Sequence, residues 1–422
     1  MSDASIVEDA SARVRGLDRS FGDAGLVVTK LGPGDADVRA MVVQPDRRIL
    51  VVGDAVGPRG LRVALVRYEP DGALDESFGD RGVVRTAFGA SAEGLAVALQ
   101  DDGKIVVAGA SHGAPTGTDV FVARYTAGGD LDPSFGPSGD GRVFTSFGGP
   151  VDRAHAVVVQ PDGKIVVAGS SFADATGLDF ALARYRADGA LDDGFGVDGK
   201  VMTDVVGGAG RDAIYGMALH SVDGELRIVV VGTDGGPVVA RYLPDGRVDE
   251  SFGDAGFVRG LFDAASGAFN AVAVAADGAL VVTGHAQGDV AAARIDARGA
   301  PDPRFGEGGT KRVAIRAAEE AEEGMGTGLG LLADGRVVVG GFARAGEGAR
   351  RQFALLCLDA AGALDPTFGA GGIVLTPMAG SAHGLARALA LQPAATPGET
   401  RVVLAGSALA DSSAFALARY EP

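Results

Sequence analysis

The sequence predicts an all-β chain folded as a seven-bladed β-propeller, with four antiparallel strands per blade and the ring closed by an amino-terminal strand joining the carboxyl-terminal blade. Three observations carry this expectation. A marker of the form L-D-x-x-F-G, with small departures, places Phe21, Phe78, Phe135, Phe195, Phe252, Phe305 and Phe368 at successive intervals of 57, 57, 60, 57, 53 and 63 residues. Each unit carries four short apolar runs in a constant order. The first run, Gly25 to Thr29, precedes any hairpin, and the last, Phe415 to Tyr420, has no successor. Joined together, those two ends complete a seventh blade and leave no open edge.

The third unit shows the elements in order: a G-x-V-x-T-like run at Gly141 to Thr145, apolar runs at Ala154 to Gln160 and Lys164 to Gly169, and "FALARY" at Phe180 to Tyr185. Short, β-branched runs bounded by Gly, Pro and Asp read as strands, and no amphipathic helical period competes. Between the two apolar runs an Asp-Gly pair recurs at Asp102-Gly103, Asp162-Gly163, Asp223-Gly224, Asp277-Gly278 and Asp334-Gly335. Such a pair suits the positive φ angles of a two-residue type I′ turn. Unit one has Asp46-Arg47 and unit seven a longer "PAATPGET" loop, so looser turns are expected there.

Composition fits this reading and narrows function. At 422 residues the length alone suggests two or three domains, but the repeat merges residues 17–422 into one, preceded by a flexible segment, 1–16. Hydrophobic residues make up 46% and charged residues 22%, so a core is available; 68 glycines, over twice the usual ~7%, imply many turns. A formal charge of -17 repels a phosphate backbone, so neither nucleic acid nor an anionic membrane surface is an expected partner. Cys357 alone excludes an internal disulfide framework. "MSDASIVEDASARVRG" lacks the features of a signal peptide and no long apolar span follows, so the expectation is a soluble, cytoplasmic monomer without membrane insertion.

The combination "LDPSFGPSGDGRVFT", "QPDGKIVVAGS" and "FALARYRADGALDDGFG" resembles the bacterial delta-60 repeat family, β-propeller proteins of unassigned function. The resemblance covers nearly the whole chain after residue 16. It implies no catalytic residues, and it points to an exported or surface location instead.

Several regular features look chemical but read as structural. Arg67, Arg124, Arg184, Arg241 and Arg294 are each followed eight residues later by Asp75, Asp132, Asp192, Asp249 and Asp302. An ion pair repeated around a ring is a staple, and the same logic sets Arg419 against Asp18 across the closure. In unit six Cys357 replaces the arginine, so Asp365 is expected to lose its partner and blade six to be weaker, with Arg at 357 raising its stability. Five of six tyrosines occupy the "RY" position and seven phenylalanines are the marker, which leaves Tyr215 outside the pattern.

Neither a phosphate-cradling loop nor a zinc, redox or nucleophile-elbow motif occurs, and the five histidines stand alone, so no catalytic residue, cofactor or metal is assigned. The alternating glycines of Gly324 to Gly330 fit close strand approach. "EEAEE", from Glu319 to Glu323, reads as a solvated loop, and Ser111/His112 and Ser381/His383 lack an orienting acid.

Fold requirements repeat, whereas ligand requirements need not. Counting five residues back from the end of each inner strand gives Arg39, Leu95, His155, Tyr215, Asn270, Thr327 and Arg387, all but one polar. These positions are expected at one mouth of the central channel. Loop candidates on the same face are His112, Asp119, Asp174, Asp234, His285 and Arg344. The expected function is a non-enzymatic scaffold binding a protein, glycan or small polar ligand there. Alternatives are a hydrolase or lyase acting at the mouth and a purely structural surface component, the bland case being a wet channel entrance. Catalysis requires His155 and Tyr215 to share a cleft, with a shifted histidine pKa.

Overall fold

The computed structural model describes residues 16–114, 117–205, 207–208, 210–262, 266–315, 324–345, 350–378 and 381–422. The proposed flexible segment 1–16, apart from Gly16, and the "EEAEE" run lie outside them. Among the described residues the chain is all β, without a helix long and apolar enough to cross a membrane. Blade 1 runs Ala36–Val43, Ile49–Gly57, Gly60–Tyr68 and Val83–Thr86 from the axis outward. Blades 2 to 6 repeat that order from the innermost strands Ser91–Leu99, Asp152–Val159, Ala213–Val222, Gly267–Val274 and Gly324–Leu331. Blade 7 combines His383–Pro393, Thr400–Leu409 and Ser413–Tyr420 with Leu26–Thr29 as its outer strand, Leu26 opposite Ala418 and Thr29 opposite Phe415. Each innermost strand touches those of both neighbouring blades, so the seven sheets form a closed ring.

The core lies between blades. Ile49 through Ala55 are all buried, because a middle strand is covered on both faces, and this is why the strand opens on the apolar run Ile49 to Val52. Leu50, Val52 and Leu65 of blade 1 pack with Ile105, Val107 and Phe121 of blade 2, and the marker Phe78 fills the same layer. The "RY" tyrosines tie neighbours together: Tyr125 donates to Thr86 Oγ1 at 2.9 Å and Tyr185 to Thr145 Oγ1 at 2.7 Å, each threonine ending the outer strand of the preceding blade.

The inner hairpins correct one expectation. Only Asp223-Gly224 forms the two-residue turn with both φ angles positive, 51° and 81°. In the third unit Gln160 N donates to Lys164 O at 2.8 Å and Gly163 N to Gln160 O at 2.9 Å, enclosing the three residues Pro161, Asp162 and Gly163. Glycine alone takes positive φ in that turn, and the aspartate instead caps the amide of Lys164 at 3.1 Å. Unit one makes the same turn, with Arg47 at φ 70° in the glycine place. The loop of unit seven is longer but closed by Ala394 N to Glu399 O at 2.9 Å, so neither of these hairpins is open.

The arginine staples link blades as well as strands. Arg124 Nε donates to Asp132 at 2.7 Å, its Nη1 reaches Ala187 O of the next blade at 2.6 Å, and the guanidinium lies 4.7 Å from the centre of the Phe135 ring. The pairs Arg67–Asp75, Arg184–Asp192, Arg241–Asp249 and Arg294–Asp302 lie at 2.6, 2.7, 2.8 and 3.0 Å, and Arg419–Asp18 at 2.9 Å spans the closure. In blade 6 the expected orphan is absent. Arg336, at the end of the inner hairpin turn just before strand Val337–Ala345, holds Asp365 at 3.3 Å, the place that Arg48, Lys104, Lys164, Arg227 and Arg401 fill as second cations in other blades. The premise for a gain from Arg at 357 therefore falls, and burial pushes the Cys357 thiol up to about 11.

Candidate functional site at the channel mouth

The seven positions counted from the inner strands share a structural cause. In blade 1 Val38 pairs with Gly53 and Ala40 with Val52, leaving Arg39 unpaired between them as a β-bulge. The same one-residue slip leaves out Leu95, His155, Tyr215, Asn270, Thr327 and Arg387. A bulge bends the strand and re-aims its extra side chain. Opposite each bulge stands the glycine that ends the "VVAG"-like run. A Cβ built on Gly169 would lie 2.0 Å from Arg153 O, and one on Gly53 1.9 Å from Asp37 O, so only glycine admits the kinked partner. Gly169→Ala is expected to cost about 2 kcal/mol as the strands part; a denaturant midpoint equal to that of the parent chain would show that the bulge does not depend on the glycine.

The fold thus dictates where these residues sit but not which residues they are. Blades 1 to 4 use this freedom for a polar cluster. Arg39 Nε donates to Asp54 Oδ1 at 3.0 Å, and Arg153 Nη1 to Glu93 Oε2 at 2.5 Å. His112 Nε2 lies 3.5 Å from the same Glu93 oxygen, and its Nδ1 meets the Thr118 hydroxyl at 3.0 Å. The His155 and Tyr215 rings meet edge to face, centroids 5.6 Å apart and planes at 69°.

Burial opposes charge throughout the cluster, and neighbours decide the outcome. Burial, followed by the repulsion of Arg153 and Arg39, brings His155 down to about 4, so its imidazole is neutral at pH 7. For Glu93 burial is outweighed by Arg153, Arg39 and His112, and the carboxyl is held below its usual range. For Asp54 burial outweighs the help of Arg39, and the carboxyl is pushed up. Burial likewise raises the phenol of Tyr215, the residue left 37% exposed at the rim.

The other candidates are engaged with neighbouring blades. Asn270 Nδ2 donates to Gly326 O at 2.8 Å, Thr327 Oγ1 donates to Ala386 O at 3.1 Å, and the Arg387 guanidinium lies 5.8 Å from the Phe342 ring centre. The structure therefore unites Arg39, His155 and Tyr215, and sets Asn270, Thr327 and Arg387 to structural contacts on the far side of the ring. Sequence reasoning missed Glu93 and Arg153. Each lies two residues before a bulge position, on the same strand alternation, and that offset was the available signal. Of the serine–histidine neighbours, Ser111 donates to Phe88 O at 3.1 Å, and His383 Nδ1 accepts from Arg351 N at 3.2 Å, so neither serine is paired with its histidine in these bonds. A recess of about 830 Å³ lies at the opposite ends of the strands, where the staple residues Arg294 and Asp302 and the marker Phe305 line it together with inner-hairpin residues such as Ala275 and Leu332.

Comparison with known proteins bears on the fold. Residues 44–78, 100–135, 160–195, 223–252 and 332–368 match the family described as "Domain of unknown function (DUF5122) beta-propeller". No curated protein matches the chain. Among solved structures, a catalytically inactive virginiamycin B lyase from Staphylococcus aureus with quinupristin is similar at 12% identity and a TM-score of 0.52, covering 93% of this chain and 98% of that one. A streptogramin B lyase is similar at 10% identity and a TM-score of 0.49, covering 93% and 97%. At 12% identity the likeness to the first of these is one of fold. With five repeats matching that family and all seven closing one ring, the chain is a β-propeller repeat protein.

Proposed function

We propose that the chain is a binding module whose channel mouth takes a small, uncharged, hydroxyl-rich ligand such as the end of a glycan. The observation that supports this most is the pairing of His155 with Tyr215 beside two arginines that already hold carboxylate partners. The arginine charges are matched, the imidazole is neutral, and a half-open phenol stands at the rim. Such a surface offers neutral donors, acceptors and an aromatic edge, which suits sugar hydroxyls better than a free phosphate or carboxylate. On the quoted repeat motifs we also read the units as of the delta-60 kind.

One observation favours a second reading. A histidine that stays neutral down to about pH 4 beside a tyrosine can accept a proton, as a hydrolase or lyase acting at the mouth requires. A thermal-shift screen of neutral oligosaccharides, peptides and anionic metabolites separates the cases. Binding predicts a raised midpoint with neutral hydroxylated compounds, lost in Tyr215→Ala and in His155→Ala. A response confined to anions would refute the neutral-ligand reading, and conversion of a responding compound during incubation would move the assignment to catalysis.

A further inference from the structure

Three aspartates from separate segments converge where blade 3 meets blade 4, on the same face as the mouth. Asp179 lies near the start of strand Gly177–Tyr185, Asp204 follows the outer strand Lys200–Thr203, and Asp212 precedes the innermost strand of blade 4. One carboxylate oxygen of each lies within 4.8 Å of the others. An added strand brings them together: Gly210–Arg211 runs parallel to Gly177–Leu178, with Asp212 N donating to Leu178 O at 2.8 Å. It extends a single bridge, Thr118 to Val151, found one blade earlier.

Asp179 and Asp212 are 5% and 0% exposed, while Asp204 faces solvent. Asp179 Oδ2 accepts from the Thr176 hydroxyl at 2.6 Å, but its Oδ1 is sealed from solvent and receives no hydrogen bond from the described residues. Asp212 Oδ2 accepts from Val205 N at 2.7 Å, and Asp204 Oδ1 from Gly207 N at 2.7 Å. Arg259, which reaches this corner, binds Asp234 at 2.7 Å and Val205 O at 2.9 Å. Gathering buried carboxylates is costly unless their charge is matched.

The preceding junction shows how the same corner is closed without an ion. There Asp119, Ser146 and Asp152 occupy the repeat positions of Asp179, Asp204 and Asp212. Asp152 accepts the Ser171 hydroxyl at 2.6 Å, Phe147 N at 2.8 Å and the Ser146 hydroxyl at 3.2 Å. One junction on, both serine positions are aspartate, Asp204 and Asp234, so two donors are exchanged for negative charge.

The geometry points to a calcium site formed by Asp179, Asp204 and Asp212. An all-oxygen set selects a hard cation, and Ca²⁺, with bonds of roughly 2.3–2.6 Å and a flexible coordination shell, accepts carboxylates brought from three separate segments more readily than Mg²⁺, which demands near-ideal octahedral geometry at about 2.1 Å. Waters complete the shell. The ion fixes Asp212 on the strand that leads into Tyr215, coupling it to the rim of the mouth. Calorimetric titration of the EDTA-treated full chain with CaCl₂ is expected to show one saturable site, with a melting midpoint raised by several degrees at a hundredfold excess over Kd. Asp204→Ser, which reinstates the hydroxyl of the preceding junction at an exposed position, is expected to keep the melting point of the EDTA-treated parent while losing Ca²⁺ affinity at least tenfold. Absence of heat and of any midpoint shift in the parent, unchanged Ca²⁺ affinity in Asp204→Ser, or tighter binding of MgCl₂ than of CaCl₂ would each overturn the assignment.

Discussion

Removal of residues 1–30 is expected to abolish cooperative folding. The deletion takes away the outer strand of blade 7, leaving the backbone edge of Ser413–Tyr420 unpaired along Phe415 to Ala418. It also removes Phe21, which is wholly buried between blades 7 and 1, and Asp18, the partner of Arg419. Burial of a phenylalanine is worth about 2 kcal/mol and a broken buried pair costs roughly 3–5 kcal/mol. Together they reach the scale of a whole domain's stability, about 5–15 kcal/mol, before the open edge is counted. Circular dichroism melting with size-exclusion chromatography checks this: a broad or missing transition with aggregation is expected. A sharp transition within a few degrees of the parent would mean that the ring does not depend on its closing strand.

The second large effect comes from opening one staple. Arg124→Ala leaves Asp132, 5% exposed, without its main cation and withdraws the bond to Ala187 O of the next blade and the face contact with Phe135. Lys104, 3.4 Å from Asp132, compensates in part, so the expected loss is about 3 kcal/mol, at the lower end for a broken buried pair. The pH profile identifies the cause. Burial disfavours the Asp132 carboxylate, but bonds from Ser134 and Arg124 outweigh it and hold the carboxyl below its usual range. Its folded pKa is depressed, so it contributes stability above the unfolded value near 3.9, and that contribution drains away as pH falls through the folded value. Asp18, Asp75, Asp192, Asp249 and Asp302 shift the same way. The melting point of the parent therefore falls steeply below about pH 4, and that of Arg124→Ala less so. His155 adds an earlier, shallower loss between its ordinary 6.5 and about 4, because the unfolded chain takes up the proton first; His155→Asn should flatten that region. Equal stability of Arg124→Ala and parent at pH 7, with parallel acid limbs, would show the staple to be idle.

How much of this was legible in the sequence depended on whether a residue's job recurs. The phenylalanine marker, the "RY" tyrosines and the Arg-to-Asp offset repeat because every blade solves the same packing problem, so counting within one chain exposed them. The mouth positions were found by disagreement among equivalent residues, yet the bulge that creates them was not, because its signature is a glycine on the partner strand. Glu93 and Arg153 went unnoticed because they meet only across a blade boundary. The support of Asp365 by Arg336 was missed for a related reason, since the rescuing cation comes from the inner hairpin turn and not from the arginine position. The three aspartates of the blade 3 corner stand 25 and 8 residues apart, and only the added strand makes them neighbours. The turn type was misjudged because an Asp-Gly pair serves two hairpin lengths, with aspartate at positive φ in the two-residue turn and capping an amide in the three-residue one.

A strand that slips once per blade, always opposite a glycine, frees one side chain per blade from the demands of pairing. Where that side chain is tied neither to the next blade nor to a buried carboxylate, it forms a natural template for combinatorial libraries: randomising Leu95, His155 and Tyr215 alters what the surface presents while leaving every ladder partner in place. Variation of that kind, inherited or engineered, can change the exposed chemistry without first having to rescue the scaffold.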